Sequence, residues 1–257
     1  LIDNGRLRDF TPLINRFEIE YTEEFASPAK SSDPLGELTI NMGALRWKMS
    51  LELSGKNIQI TYEGESVLKA AIEHELTHLQ TNAEVREILR ELSDRHPIAR
   101  ESLNSNNDFQ DPLIRVLELI VDRETMNRLD EGARRDFLIY IQQHYAMHLA
   151  HIVNDLREGG GLRVEQVLQL IQIQSELKFI SQNYPRLLNG QFEALFNHMN
   201  ENYMEPLLGN KITERDKMLE KYTKFLMDAT IPARELIEGV LDTIAAIYHG
   251  GMDDEQH

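Results

Sequence analysis

The spacing of hydrophobic and polar positions changes once along this chain, near residue 65. Before that point, polar and apolar residues alternate in short stretches, within LGELTINMGALRWKMSLEL (35–53) and most clearly in NIQITYE (57–63). Such alternation is typical of strands with one buried face, and SGKN between the two stretches suits a hairpin turn. These stretches predict a small β-sheet, while SPAKSSDP (27–34) predicts a loop.

From Ser66 onward the apolar positions recur with helical spacing. Ser66 is a suitable N-cap for SVLKAAIEHELTHLQ, and the helix is expected to run to about residue 92. Its expected core stripe consists of Leu68, Ile72, Leu76 and Leu79. The Asn- and Ser-rich segment 96–112 predicts a loop.

Asp111 and Pro112 then predict the start of an apolar helix over 113–129. A further helix is expected from about Arg134 to Glu158, ending at the three glycines 159–161. Later helices are expected to break near 183–185, 190, 206–209 and 231–232. We expect an α+β, mostly α chain, with a first part over 1–133 and a helical part over 134–257, either separate or packed as one domain.

Composition narrows the class of protein. With 257 residues, 41% hydrophobic and 27% charged, the chain is that of a soluble globular protein. A net charge of -16 argues against a nucleic-acid partner, which requires a basic surface. No uncharged apolar run reaches the roughly 18–20 residues that span a bilayer. The oligomeric state is left open.

The chain has no cysteine, so a bound metal would have to rest on His, Asp and Glu. We expect a cytoplasmic location, which the absence of cysteine fits. The same absence equally suits an exported bacterial protein, which is the alternative. Because the chain begins with Leu1, loss of an N-terminal targeting segment is a further alternative.

The stretch AIEHELTHLQ (71–80) carries an H-E-x-x-H motif formed by His74, Glu75 and His78. On a helix, the two histidines project from one face about one turn apart, so both imidazoles can reach one ion. Glu75 lies on a neighbouring strip, where it can act on a water molecule as a general base. The alternative is a pair of partly exposed surface histidines.

A third ligand is needed for a typical catalytic zinc site. Glu118 and Asp122 lie four residues apart in LIRVLELIVD, where apolar neighbours predict that Glu118 is buried. Asp122 could accept the second N–H of a ligating histidine. Ordinary pairing of these carboxylates with Arg115 and Arg123 is the alternative.

H-E-x-x-H followed on a later helix by E-x-x-x-D resembles the gluzincin zinc peptidases, including thermolysin-like enzymes and minigluzincins. The resemblance implies a zincin-like fold, with a small β-sheet before the active-site helix, whose edge strand pairs with an extended peptide or protein substrate. It also implies that Zn²⁺ is bound by His74, His78 and Glu118, that Glu75 activates water, and that Asp122 supports a histidine.

The sequence departs from a related pattern, that of the metzincins, in which a glycine and a third ligand follow the second histidine. Those positions hold Thr81 and Glu84, so Glu84 is the weaker third ligand. Glu124 is a further candidate that lacks a partner with the spacing of Asp122.

A second set of histidines, His144, His148 and His151, follows one helical face in HYAMHLAH. We interpret the set mainly as a half-buried polar face. A second metal site is an alternative. If one member assists catalysis by stabilising an oxyanion, we expect His148, with Tyr140 next.

The leading hypothesis is a zinc-dependent metallopeptidase in which Glu75 activates water. The rival hypothesis is a non-enzymatic helical interaction or regulatory protein, in which the H-E-x-x-H motif is accidental or forms a structural metal site.

Overall fold

The computed structural model describes residues 15–21, 28–32, 37–42, 48–53, 56–61, 65–104, 113–157, 164–208 and 212–249. Within these ranges, five short strands come first and helices make up the remainder. The predicted fold class, α+β and mostly α, is therefore confirmed.

Three strands form a mixed sheet in the order β1-β3-β2. The central strand, β3 (Glu37–Asn41), is parallel to β1 (Arg16–Glu20) and antiparallel to β2 (Ala29–Ser32). Leu38 and Ile40 of β3 are buried, as expected for a central strand whose apolar side chains alternate along one face. Both β1 and β2 are edge strands of this sheet.

The expectation of a loop over 27–34 was wrong for Ala29–Ser32, which forms β2. Residues 27, 33 and 34 lie outside the described residues. The sequence AKSS has little intrinsic strand preference, and the strand forms because β3 supplies a hydrogen-bonding partner along its length. β1 was not predicted either.

A two-stranded antiparallel sheet follows, formed by β4 (Lys48–Leu53) and β5 (Lys56–Thr61). Leu53 pairs with Lys56, so the two strands form the predicted hairpin. Residues 54 and 55 of its turn lie outside the described residues.

The first helix, α1 (Glu65–Leu92), carries the H-E-x-x-H motif. It ends where predicted and starts one residue before Ser66, which is therefore not its cap. The remaining helices are α2 (Pro97–Asn104), α3 (Ile114–Arg128), α4 (Glu131–Arg157), α5 (Val164–Asn183), α6 (Gly190–Met199), α7 (Glu205–Leu208), α8 (Ile212–Met227) and α9 (Ala233–His249). No helix in the described ranges is long and apolar enough to cross a membrane.

The loop expected over 96–112 was wrong for Pro97–Asn104, which forms α2. Pro97 occupies its first position, which suits proline, and Ala99 is fully buried, so packing stabilises a helix despite the polar composition.

The predicted cap at Asp111 and Pro112 and the glycines 159–161 lie outside the described residues. Predicted breaks at 183–185 and 231–232 are confirmed. The break at 206–209 is wrong in part, since α7 continues to Leu208 after a π-helical segment, Asn200–Met204.

The chain divides into two compact units, each assembled from separate segments. The first contains residues 1–83, 121–154 and 189–195, and the second contains the rest. No observation tests the predicted boundary at residues 133 and 134, which stays a prediction. In the first unit, the predicted core stripe of α1 (Leu68, Ile72, Leu76 and Leu79) is buried, as are Phe137 and Tyr140 of α4.

In the second unit, α5 packs against α8, which packs against α9. The apolar residues Val167, Leu168 and Ile171 of α5 are buried, so this stripe packs into the core of the unit. Phe196, Met199 and Met204 are also buried.

Tyr222 of α8 should weaken the second unit through its hydroxyl group. The side chain is fully buried, burial raises the pKa of the phenol, and its hydroxyl has no hydrogen-bond partner among the described residues. An unsatisfied buried hydroxyl costs about 1–3 kcal/mol. We therefore expect Tyr222→Phe to raise the free energy of unfolding by about 1 kcal/mol, measured by urea denaturation.

The matched control is Tyr21→Phe, since Tyr21 is 76% exposed and loses only a solvated hydroxyl. Its effect should stay within about 0.5 kcal/mol. A Tyr222→Phe protein that is less stable than the parent would show that the hydroxyl is satisfied.

Candidate metal centre

The two motif histidines lie side by side on α1. Their Nε2 atoms are 3.1 Å apart, and the ring centroids are 4.7 Å apart. Both side chains are buried, His74 at 5% and His78 at 7% exposure, because they adjoin the core stripe of α1. The alternative of partly exposed surface histidines is therefore wrong.

Nδ1 of each ring faces a side-chain oxygen that can only accept a hydrogen bond. Nδ1 of His74 lies 3.1 Å from Oδ1 of Asp122, and Nδ1 of His78 lies 3.3 Å from Oδ1 of Asn82. If Nδ1 carries the proton in each neutral ring, the protonated nitrogens face these oxygens and both Nε2 lone pairs face each other. A cation bound by both nitrogens removes that repulsion.

Glu118 of α3 supplies the third donor. One ligand atom from each of His74, His78 and Glu118 lies within 4.8 Å of the others, and the described part of the chain contains one such group. Two imidazole nitrogens and a carboxylate oxygen form a common donor set for catalytic zinc. These three residues could hold a metal ion.

Glu118 and Asp122 differ in burial, and the expectation that Glu118 is buried was wrong. Glu118 is half-buried, as is the neighbouring Leu117, so the apolar sequence around it does not enclose this side of α3. The buried carboxylate is Asp122, with 1% exposure. Its Oδ2 accepts a hydrogen bond of 2.8 Å from the hydroxyl of Tyr145.

Asp122 thus contacts His74 through one oxygen and Tyr145 through the other. A carboxylate in this position fixes the orientation of the ring and raises the basicity of its Nε2. Neighbouring Arg123 pairs with Glu124 at 3.0 Å.

Glu75 is half-buried and is directed towards the sheet. Its Oε2 accepts two hydrogen bonds of 2.7 Å, from the backbone N–H and from the hydroxyl of Ser31 in β2. Among the described residues, both bonds end on Oε2 and leave Oε1 available to a water molecule.

The strand register explains why Ser31 can reach Glu75. Asn41 donates its backbone N–H to Pro28 across β2 and β3, so every second pair from there exchanges hydrogen bonds. Ser31, opposite Leu38, falls on the alternate set. Its N–H therefore points away from β3, towards the outer edge of β2.

The weaker candidates for a third ligand are not part of this group. α1 continues as a helix through Thr81, and Glu84 is exposed. Glu124 is half-buried against Arg123.

The second set of histidines lies on α4. His148 is half-buried, and its Nε2 lies 3.1 Å from Nε2 of His144. Tyr140 is buried, with ring centroids 6.1 Å from His74 and 5.6 Å from His144. A catalytic role for His148 stays a prediction.

Three contributors, Ser31, Asn82 and Tyr145, were not identified from the sequence. Ser31 lies in a segment predicted to be a loop, and only the strand register reveals the direction of its N–H. Tyr145 and Asp122 share no sequence motif, because their hydrogen bond joins two different helices, α4 and α3. Its one sequence signal is a position next to His144.

Replacing Asp122 by Asn tests the support of His74. The change keeps the size of the side chain and removes the charge that orients the imidazole. We expect affinity for Zn²⁺, used as the probe, to fall about 10–100-fold, measured by competition with a chelator. Glu124→Gln, the same chemical change two residues away, should leave the affinity unchanged. Equal affinities of the Asp122→Asn and parent proteins would contradict the predicted role.

No protein-family model matches this chain, and no curated protein or solved structure matches it either.

Proposed function

We propose that this protein is a zinc-dependent peptidase that hydrolyses peptide bonds of a peptide or protein substrate. The observation that carries the proposal is the buried histidine pair, whose Nε2 atoms lie 3.1 Å apart with Glu118 in ligand range. The gluzincin resemblance of the two motifs supports it.

Zinc is the metal best suited to these donors. Imidazole nitrogen favours Zn²⁺, Cu²⁺, Ni²⁺ or iron over Mg²⁺ and Ca²⁺, which prefer oxygen ligands. Three protein ligands leave a coordination position open, as catalytic zinc sites require. His74, His78 and Glu118 would hold the ion, with Asp122 orienting His74.

When bound, zinc would polarise the scissile carbonyl and acidify a water molecule. Glu75 would remove a proton from that water and later donate it to the leaving amine. Ser31 holds Oε2 of Glu75 through two hydrogen bonds. This contact leaves Oε1 to exchange the proton and restricts the side chain to one orientation.

The gluzincin resemblance is what supports a peptide as the substrate. The outer edge of β2 does not offer a pairing edge at this point, because Ser31 donates its outward N–H to Glu75 and Ala29 is fully buried.

The proposal predicts that Glu75→Gln abolishes peptide hydrolysis while zinc remains bound. The amide keeps the shape of the side chain but cannot accept the proton, and general-base catalysis contributes about 10²–10⁴-fold to rate. Cleavage of a diverse peptide library, followed by mass spectrometry, would measure the loss, and metal analysis would measure retained zinc.

Glu84→Gln is the matched control, since it makes the same change on an exposed position of α1. It should cleave the library as the parent does. Cleavage by Glu75→Gln at the parental rate would refute the proposed role. A parent protein that binds zinc but leaves both the library and unfolded proteins intact would favour a structural metal site.

A further inference from the structure

A second pair of histidines has nearly the same geometry as the pair on α1. Nε2 atoms of His144 and His148 are 3.1 Å apart, the same separation as in His74 and His78. The ring centroids are 4.6 Å apart, with an interplanar angle of 71°. In each pair the two histidines are four residues apart on a long helix, so the two imidazoles of that pair point towards each other.

This separation fits a shared metal ion. Two nitrogens bound to zinc at about 2.0–2.1 Å with tetrahedral geometry lie about 3.4 Å from each other. The pair on α4 therefore needs to open by only a few tenths of an ångström to bind one ion.

Two tyrosine rings lie near His144. Tyr140 and Tyr145 are buried, and their ring centroids lie 5.6 and 5.7 Å from that of His144. His144 and His148 are themselves half-buried, so solvent can reach them. An ion there would complete its coordination with water.

We propose that His144 and His148 form a second binding site for a divalent transition-metal ion, separate from the centre on α1. Imidazole donors without a carboxylate or thiolate select Zn²⁺, Cu²⁺ or Ni²⁺. With two protein ligands, the site binds more weakly than the three-ligand centre and exchanges its ion more readily. The assignment does not depend on the proposed peptidase activity, and it is an alternative to an oxyanion-stabilising role for His148.

The competing explanation for the short separation is an N–H···N hydrogen bond between two neutral rings. His148→Gln separates the two explanations. Its amide can still form a hydrogen bond with His144, but it is a poor ligand for a transition metal. A hydrogen-bonded pair would therefore lose little in this variant, whereas a metal site would be lost.

The experiment counts Zn²⁺ bound to metal-free protein by native mass spectrometry. Three double variants are compared with the parent: His74→Ala with His78→Ala, His144→Ala with His148→Ala, and His96→Ala with His198→Ala as a control outside both pairs. We expect each of the first two to bind one ion fewer than the parent and the control to bind the same number.

Cu²⁺ then probes the second pair alone. It binds nitrogen donors more tightly than Zn²⁺ does. In the variant lacking His74 and His78, the electron paramagnetic resonance spectrum of one Cu²⁺ should show coupling to two imidazole nitrogens. Adding His148→Gln should remove one of these couplings and weaken binding at least tenfold.

Circular dichroism checks that each variant folds. If the variant with both His144→Ala and His148→Ala does not fold, the Cu²⁺ affinity of His148→Gln tests the proposal instead. The proposal is overturned if removal of His144 and His148 leaves the number of bound ions unchanged. It is equally overturned if His148→Gln binds Cu²⁺ as tightly as its parent. Loss of peptidase activity with an unchanged metal count would bear only on the proposed function.

Discussion

The buried carboxylate of Asp122 is the constraint on which the candidate centre depends. A charged group with 1% exposure is costly unless other groups compensate for lost water. Tyr145 donates to one oxygen, and Nδ1 of His74 lies 3.1 Å from the other. These contacts link α3 and α4 to the motif helix and set which nitrogen of His74 faces His78. One buried carboxylate thus lies against the ring of His74, where it can orient that ring.

The same arrangement makes a cation at the pair favourable. The two Nε2 atoms lie 3.1 Å apart, and neutral rings protonated on Nδ1 would present lone pairs to each other at this distance. Binding a cation replaces this repulsion with two coordinate bonds, and Glu118 supplies a negative ligand in range. Glu75 is bonded through Oε2 to Ser31 of β2 and is not a member of the group that could hold the ion. In the proposed function, ligation and proton transfer belong to different carboxylates.

Local patterns predicted much of the fold and the group of residues that could hold a metal ion. Helical periodicity placed α1 to within a residue at each end, because its apolar stripe is continuous. The spacing of H-E-x-x-H and E-x-x-x-D was sufficient to select His74, His78 and Glu118 as a group. Contacts between distant segments were not predictable. β2 depends on pairing with β3, α2 depends on burial of Ala99, and the burial of Asp122 rather than Glu118 depends on how α3 packs.

The most direct measurement is anomalous X-ray diffraction from crystals of the zinc-loaded protein, recorded on both sides of the zinc absorption edge. A metal centre built from these residues predicts a peak about 2.0–2.1 Å from Nε2 of both His74 and His78, with a carboxylate oxygen of Glu118 at a similar distance. Absence of a peak at this position, with the two Nε2 atoms still about 3.1 Å apart, would contradict it.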